Sequence, residues 1–565
     1  AMLFQSDRAG YRSHGSWGAE DDAYIMFFDL DAYNRFNMSK EEVELADANK
    51  DDKEKKEDEK KEEAKKKADE KQKKTGKIEV EKVKPLELDI ENCRDRIVRL
   101  TANSSHMGDA VLSKDGDKLY YQAAFEDGYD LWQHDLKDGS TKLVMKGVGQ
   151  GNLQTDKDVK NLFICNGSSI KKVDLSGFST KNISFEANFN YKPAEERQYL
   201  FDHVWRQVKD KFYDPKIHGV DWEGYRKTYE KFLPYINNNF DFQEMLSEML
   251  GELNASHTGA RYYASNSALT TANLGVFFDP QYQGDGLKIQ EIIKRGPFDV
   301  KNTGVTAGSI IESIDGEEIK AGMDYFPLLD GKVGKNVRLG IRNAKGKKME
   351  VTVKAISQGK LNNLLYKRWV DRNRAFVDSI SGGRIAYVHV KAMNSESFRT
   401  VYSELLSDKN RNRDAVIVDE RHNGGGWLHD DLCTLLNGKQ YQEFVPHGKV
   451  VGRDPFNKWV KPSCVMICEN DYSNGHGFPW VYKELGIGKL IGAPVAGTMT
   501  AVWWETLMDN TLVFGIPQVG CRDMRGVFGE NTQLNPDIEV YNSPEDFING
   551  HDTQLERAVK EMMKK

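Results

Sequence analysis

Two loops in the C-terminal half carry residues suited to nucleophilic chemistry. In CVMICENDYSNGHGFPWVYKELG, residues 464–486, an apolar run passes through a polar turn into a helical pattern, and Ser473 stands at the turn. A serine before a helix commonly just caps it, its hydroxyl accepting from a free amide. The same place exposes that hydroxyl to unpaired amides and to the positive end of the helix dipole, where an alkoxide or a tetrahedral oxyanion is stabilised. Pro479 is expected near the first turn of that helix, where its missing N–H costs nothing. The turn is not a GxSxG elbow, because Asp471 stands two residues before Ser473. The second loop is DERHNGGG, Asp419 to Gly426, directly after AVIV. Consecutive glycines admit backbone angles and approaches that side chains forbid, so Gly424 or Gly425 could aim an amide at a developing oxyanion. Alone, a triple glycine is more often just a flexible turn. A candidate base lies far upstream in LNASHTG, where Ser256 and His257 occupy a short turn after a helical stretch. By itself such a histidine is more often structural.

Metal chemistry is the rival. His422, His429 and His476 lie in or near the two loops, with Asp419, Glu420 and Asp430 as possible carboxylate ligands. Their spacing, HNGGGWLH, matches neither a helical HExxH nor a zinc-finger pattern, so no metal or other cofactor is expected. His476, three residues after Ser473, is instead a candidate to line a substrate subsite.

Elements able to hold these loops follow from periodicity. From Gly383 to about Tyr541, short apolar strands (RIAYVHV, DAVIVD, SCVMICE) alternate with helical segments, the pattern of an α/β layer with mainly parallel strands. Ligand sites in such sheets lie beyond the carboxyl ends of the strands, where both loops fall. Upstream, EERQYLFDHVWRQVKDKFY places Leu200, Val204, Val208 and Phe212 at fourfold spacing, an amphipathic helix. FDFQEMLSEMLGELNASHTGARYY continues the helical texture, with Met245, Met249 and Leu253 read as core. Between these parts TANLGVFFDP, TAGSIIESIDGEEI and VRLGIRNAKGKKMEVTVKAI give alternating strands and Gly-containing turns that resemble a PDZ domain. Its Gly275 and Val276 lie in the stretch that resembles a carboxylate-binding loop, and an extended peptide could add a strand there.

The N-terminal part reads as β-rich and repetitive. LSKDGDKLYYQAAFEDGYDLWQHDL and QTDKDVKNLFICNGSSIKKVDL begin at residues 112 and 154, an offset of 42. That spacing fits four-stranded propeller blades, and GSWGAEDDAYIMFFDLDAY repeats half of the pattern, so a partial propeller is expected. A Lys/Glu/Asp block, DDKEKKEDEKKEEAKKKADEKQKK, cannot bury a core and is expected to be a disordered insertion at about 45–82. The expected organisation is 1–190 propeller blades, 191–265 a helical catalytic subdomain, 266–358 a PDZ-like domain and 359–565 an α/β catalytic domain.

Bulk properties narrow the classes. At 565 residues several domains of about 150 residues are expected. The net charge of −7 argues against a nucleic-acid surface. Six cysteines without CxxC spacing support neither a zinc ribbon nor a disulfide framework. No apolar run approaches the ~20 residues of a membrane span. A cytoplasmic location is expected, or a periplasmic one if a leader once preceded the first residue.

Taken in order, LNASHTG, the PDZ-like unit, DERHNGGG, DYSNGHGFP and the late GENTQLNPDIEV resemble the tricorn-type core proteases and, more broadly, the C-terminal-processing, or tail-specific, serine peptidases. The partial propeller and helical segment favour the tricorn type. The resemblance implies Ser473 as nucleophile, His257 as general base, and Ser256 with Glu530 completing a tetrad. Oxyanion donors are implied at the amides of Gly424 or Gly425 and of Asn474, which stands where the family has aspartate, a change a backbone donor tolerates. It implies a peptidase acting on oligopeptides or unfolded chains and assembled from several copies. A catalytically silent peptide-binding scaffold is the alternative.

Overall fold

The computed structural model describes residues 1–564 apart from 12–18, 47–87, 126–127, 168, 265–268 and 302. The insertion expected at 45–82 lies, from residue 47 onward, outside the described residues. The chain divides into two compact units, Ala1–Asn190 and Tyr191–Lys565.

The first unit is built of antiparallel strands. β1 (Met2–Ser6), β2 (Asp22–Met26) and β3 (Ile97–Arg99) form a three-stranded sheet, and α1 (Leu30–Phe36) follows β2. Two four-stranded meanders come next: β4 (His106–Leu112), β5 (Lys118–Ala124), β6 (Asp130–Asp135) and β7 (Thr141–Met145), then β8 (Asn152–Thr155), β9 (Asn161–Asn166), β10 (Ser169–Asp174) and β11 (Thr180–Ile183). β5 shows how the layers meet. Its Leu119, Tyr121 and Ala123 pack with Ala23, Ile25 and Leu100, whereas Tyr120 faces Leu131, Leu153 and Leu162. The period-two alternation thus serves two hydrophobic layers at once.

In the second unit α2 (Pro193–Lys211) buries the expected stripe of Leu200, Val204 and Val208. α3 (Trp222–Glu230) and α4 (Asn239–Gly251) join it, the latter capped by Asn238, whose side chain accepts from the Asp241 amide. Helix propensity ends after α4, and the chain turns at Ser256 and His257 into β12 (Ala260–Tyr262). The PDZ-type sheet follows: β13 (Val276–Phe278), β14 (Leu287–Ile292), β15 (Ile310–Ile314), the short β16 (Glu317–Glu318), β17 (Asn336–Arg342) and β18 (Lys348–Lys354), around Ile289, Ile311, Val337 and Leu339.

The α/β layer is a five-stranded parallel sheet in the order β19 (Ile385–His389), β20 (Ala415–Asp419), β23 (Ser463–Ile467), β24 (Lys489–Gly492) and β27 (Ile538–Glu539). The hairpin of β21 (Gln442–Phe444) and β22 (Gly452–Asp454) lies between β20 and β23 in sequence. Both faces of the parallel sheet are covered, so its strands are mainly apolar. Val370 and Val377 of α5 (Gln358–Ile380) and Leu555 and Val559 of α9 (Thr553–Met562) pack against Tyr387, Ile417 and Met466. The other face, with Val388, Val418 and Val465, is covered by α6 (Ser395–Leu405), α7 (His429–Leu436) and α8 (Asn474–Glu484).

β25 (Thr500–Thr506), β26 (Leu512–Gly520) and β12 form a separate antiparallel sheet, with Ala260 opposite Phe514. Leu512, Phe514 and Ile516 pack into the same core as α2 and α4. This pairing carries the Ser256–His257 turn onto the C-terminal part of the chain. Among the described residues no helix is long and apolar enough to cross a membrane, and the six cysteines form no disulfide.

Candidate active site

β20 and β23 are neighbours, so the loops leaving their carboxyl ends, DERHNGGG and DYSNGHG, meet side by side. Asp471 ties them together. Its carboxyl oxygens accept from the Asn423 amide at 3.1 Å and the Cys468 amide at 2.8 Å. The Tyr472 amide donates to the Asn423 carbonyl at 2.9 Å. Burial raises the Asp471 pKa to about 8, and the two amide bonds work in the opposite direction.

Ser473 occupies the N-cap position of α8, but its side chain makes no capping bond, and its backbone sits at φ 59°, ψ −120°. Such a conformation costs on the order of 1–3 kcal/mol and needs outside support. Part of that support is the Thr498 hydroxyl, which accepts the Ser473 amide at 2.9 Å. Part is Gly425, at φ 95°, which packs directly on the turn. A Cβ there would stand 2.5 Å from Ser473 Cβ and 3.0 Å from the Asn474 nitrogen. Pro479 stands at the sixth residue of α8 rather than in its first turn, because the helix begins only at Asn474.

Of the two glycine amides singled out, Gly425 donates to Asn423 Oδ1 at 2.9 Å. The Gly424 and Asn474 amides have no acceptor among the described residues. The Asn474 side chain is buried, and its Oδ1 accepts the Leu428 and His429 amides at 2.7 and 3.1 Å. It thereby fixes the start of α7 against the start of α8.

Ser256, His257 and Glu530 form one hydrogen-bonded chain. His257 Nδ1 lies 2.7 Å from Ser256 Oγ and 3.0 Å from Thr500 Oγ1. The Ser256 hydroxyl donates to Glu530 Oε2 at 2.8 Å, and its amide donates to the other carboxylate oxygen. With the Ser256 proton directed at Glu530, its oxygen accepts from the imidazole, which places the ring proton on Nδ1 and leaves Nε2 as the basic nitrogen. His257 is buried, and burial lowers its pKa to about 4; burial raises that of Glu530. The His257 amide donates to the Tyr472 hydroxyl at 2.7 Å, and the two rings pack at 4.8 Å. Tyr472 therefore joins the histidine turn to the residue preceding Ser473. Among the described residues the Ser473 hydroxyl makes no hydrogen bond to the imidazole, a contact that commonly tightens only when substrate binds.

Residues 193–251 match the family model of the tricorn protease C1 domain, 279–358 that of the tricorn protease PDZ domain, and 384–540 that of peptidase family S41. The chain carries the C1, PDZ and S41 domains of a tricorn-like protease. A putative tricorn-like protease C-terminal subunit of Sulfurisphaera tokodaii is 29% identical over 388 residues, covering 66% of this chain and 44% of the relative. Tricorn protease homolog 1 of Streptomyces coelicolor is 27% identical over 501 residues, covering 84% and 47%. The tricorn protease of Thermoplasma acidophilum is 25% identical over 382 residues, covering 65% and 34%. This chain thus spans less than half the length of these relatives. A crystal structure of the tricorn protease shares the fold, with a TM-score of 0.72 at 18% identity over 100% of this chain and 53% of that one.

Within this tricorn-like frame the remaining candidates separate. His476 is buried and its Nδ1 accepts the Thr498 amide at 3.3 Å; burial lowers its pKa to about 4. His429 Nδ1 lies 2.8 Å from Asn474 Nδ2, and His422 Nδ1 lies 3.4 Å from Asn470 Nδ2. No group of three or more His, Cys, Asp or Glu among the described residues is placed to hold a metal ion. Asp419 and Arg421 are paired with each other at 2.8 Å, and Arg421 reaches Asp552 at 2.9 Å. Gly275 and Val276 belong to the PDZ-type sheet, where β13 is an edge strand. Thr498, Thr500, Tyr472 and Asn423 were not singled out from the sequence, since nothing in their spacing marks them.

Proposed function

We propose that this chain is a serine peptidase that hydrolyses peptide bonds of oligopeptides or unfolded polypeptides through an acyl-enzyme on Ser473. The observation that carries the reading is the buried Glu530–Ser256–His257 chain, which sets the imidazole tautomer toward a strained serine joined to it through Tyr472. His257 Nε2 takes the Ser473 proton as Oγ attacks the carbonyl carbon. The oxyanion accepts from the Asn474 amide and a triple-glycine amide; Gly424 is the open donor, and Gly425 packs the loop. The imidazolium then protonates the leaving amine, and a water attacking the acyl group repeats the exchange. Glu530 acts through Ser256, stabilising the charged ring.

The four-stranded meanders of the first unit support a reading as propeller blades, and the edge strand β13 after Gly275 and Val276 supports capture of an extended peptide. Homo-oligomeric assembly follows the family, and six cysteines without a disulfide favour the cytoplasm. The test is a fluorophosphonate probe: stoichiometric labelling of Ser473, abolished in Ser473→Ala, together with cleavage of a broad peptide library. Failure of the wild type to label or cleave would leave a peptide-binding scaffold.

A further inference from the structure

A cleft of about 550 Å³ opens along α8. Its walls include Trp427, Trp480, Val481, Met499 and Phe528, none fully buried, so the cleft presents apolar and aromatic surface. Its lining residues are chain neighbours of the whole candidate site. Trp427 follows Gly425 by two residues, His476 follows Ser473 by three, and Gly529 directly precedes Glu530. Met499 lies between Thr498, which holds the Ser473 amide, and Thr500, which contacts His257.

Resting on the peptidase reading above, we propose that this cleft receives the substrate side chain on the acyl side of the scissile bond, and that it selects a bulky apolar residue, aromatic or branched aliphatic. The side is set by which elements build it. The walls come from the glycine loop, α8 and the segments on either side of Glu530, and among the described residues none comes from the Ser256–His257 turn, whose imidazole protonates the leaving amine in the reading above. The polarity is set by what is already paired. Arg525 lies 2.8 Å from Asp523 and 3.2 Å from Glu484, so both carboxylates at the cleft are ion-paired, and Arg522 adds a second cation at its rim. Lys483 pairs with Asp537 at 3.0 Å. A cationic side chain therefore finds no free carboxylate, and His429 and His476 add no charge at neutral pH because burial lowers both pKa values. Arg522 is exposed at the rim with its guanidinium 5.9 Å from the Phe528 ring, where water screens it from an acidic substrate.

The experiment uses the full chain and fluorogenic peptides identical except at P1, carrying Phe, Leu, Ala, Lys or Glu. P1 Phe and Leu should exceed Ala, Lys and Glu by ~10- to 100-fold in kcat/KM, the range a hydrophobic pocket supplies. Val481→Trp, which fills the cleft, should erase the advantage of Phe over Ala while fluorophosphonate still labels Ser473. Phe528→Ala, in an exposed segment, should weaken the Phe preference without that risk to folding. Preference for Lys or Glu, or P1 selectivity unchanged in both variants with labelling intact, overturns the pocket and leaves the peptidase reading standing. Loss of both labelling and cleavage in the wild type overturns the peptidase reading and the pocket with it.

Discussion

Exchanging Glu530 for glutamine is nearly isosteric, and the structure states what it should do. Glu530 accepts from both the amide and the hydroxyl of Ser256. In Glu530→Gln the side-chain oxygen can still serve the Ser256 amide, but the NH2 group then faces Ser256 Oγ and must donate to it. The Ser256 proton is driven round to His257 Nδ1, 2.7 Å away, and the ring proton moves to Nε2. In that tautomer the imidazole cannot accept the Ser473 proton. A carboxylate-to-amide change with this consequence lowers kcat by ~10³- to 10⁴-fold, or about 4–5.5 kcal/mol of transition-state stabilisation at 1.36 kcal/mol per decade. Thermal unfolding should change little, since the volume and one hydrogen bond of the pair are kept. The assay is kcat/KM on a fluorogenic peptide alongside calorimetry, with 15N NMR of the His257 ring reporting which nitrogen carries the proton. Turnover within ~10-fold of wild type with the ring proton on Nδ1 would refute the relay.

Gly425→Ala should lower kcat by ~10²- to 10³-fold, the cost of one lost oxyanion donor, because the new Cβ meets Ser473 Cβ at 2.5 Å and crowds the Asn474 amide at 3.0 Å; near-normal kcat would show that the glycine is there for the turn alone. Asp471→Ala strips the acceptor from the buried Asn423 and Cys468 amides, at about 1–3 kcal/mol for each unpaired group, and calorimetry should show a lower Tm. The pH dependence follows from two opposed shifts: activity needs His257 neutral and Glu530 ionised, burial lowers the histidine to about 4, and burial raises the glutamate from 4.5. The His257 limb of kcat/KM should therefore lie below the 6.5 of an ordinary histidine. The same depressed His257 value means that its contribution to stability is complete above 6.5 and is lost as pH falls toward 4.

What the sequence exposes and what it conceals divide along a physical line. The triple glycine and Ser473 are visible because each ends a short apolar strand, and both strands prove to be adjacent in a parallel sheet. The 42-residue offset is visible because each repeat folds within itself, as two four-stranded meanders. Glu530 is reached only through resemblance, since its partners lie 274 positions away. Thr500 and Tyr472 are hidden for the same reason: their contacts with His257 depend on the register of β12 against β26, and local periodicity does not encode register across such separations. The three-stranded sheet at the start of the chain is concealed too, because β3 has only three residues and meets β2 across the long charged segment.

At Ser473 the backbone, rather than the chemistry of the side chain, argues against a plain helix cap. A capping serine holds an extended backbone and turns its oxygen inward to the second or third helical amide. Ser473 instead sits at φ 59°, with no capping bond, and its own amide is held by Thr498. His257 is likewise strained at φ 61°, and its amide is held by Tyr472. Two residues forced from ordinary conformations, each anchored through its amide by a side-chain oxygen, leave the hydroxyl of one and Nε2 of the other free of structural duty. Strain of this kind persists only where surrounding bonds over-determine it. Here those bonds are the ones to Thr498 and Tyr472, backed by Asp471, Asn423 and Asn474, whose buried side-chain oxygens accept backbone amides of the two loops. The stability spent on this scaffold thus fixes positions, which is the form in which a preorganised serine site spends it.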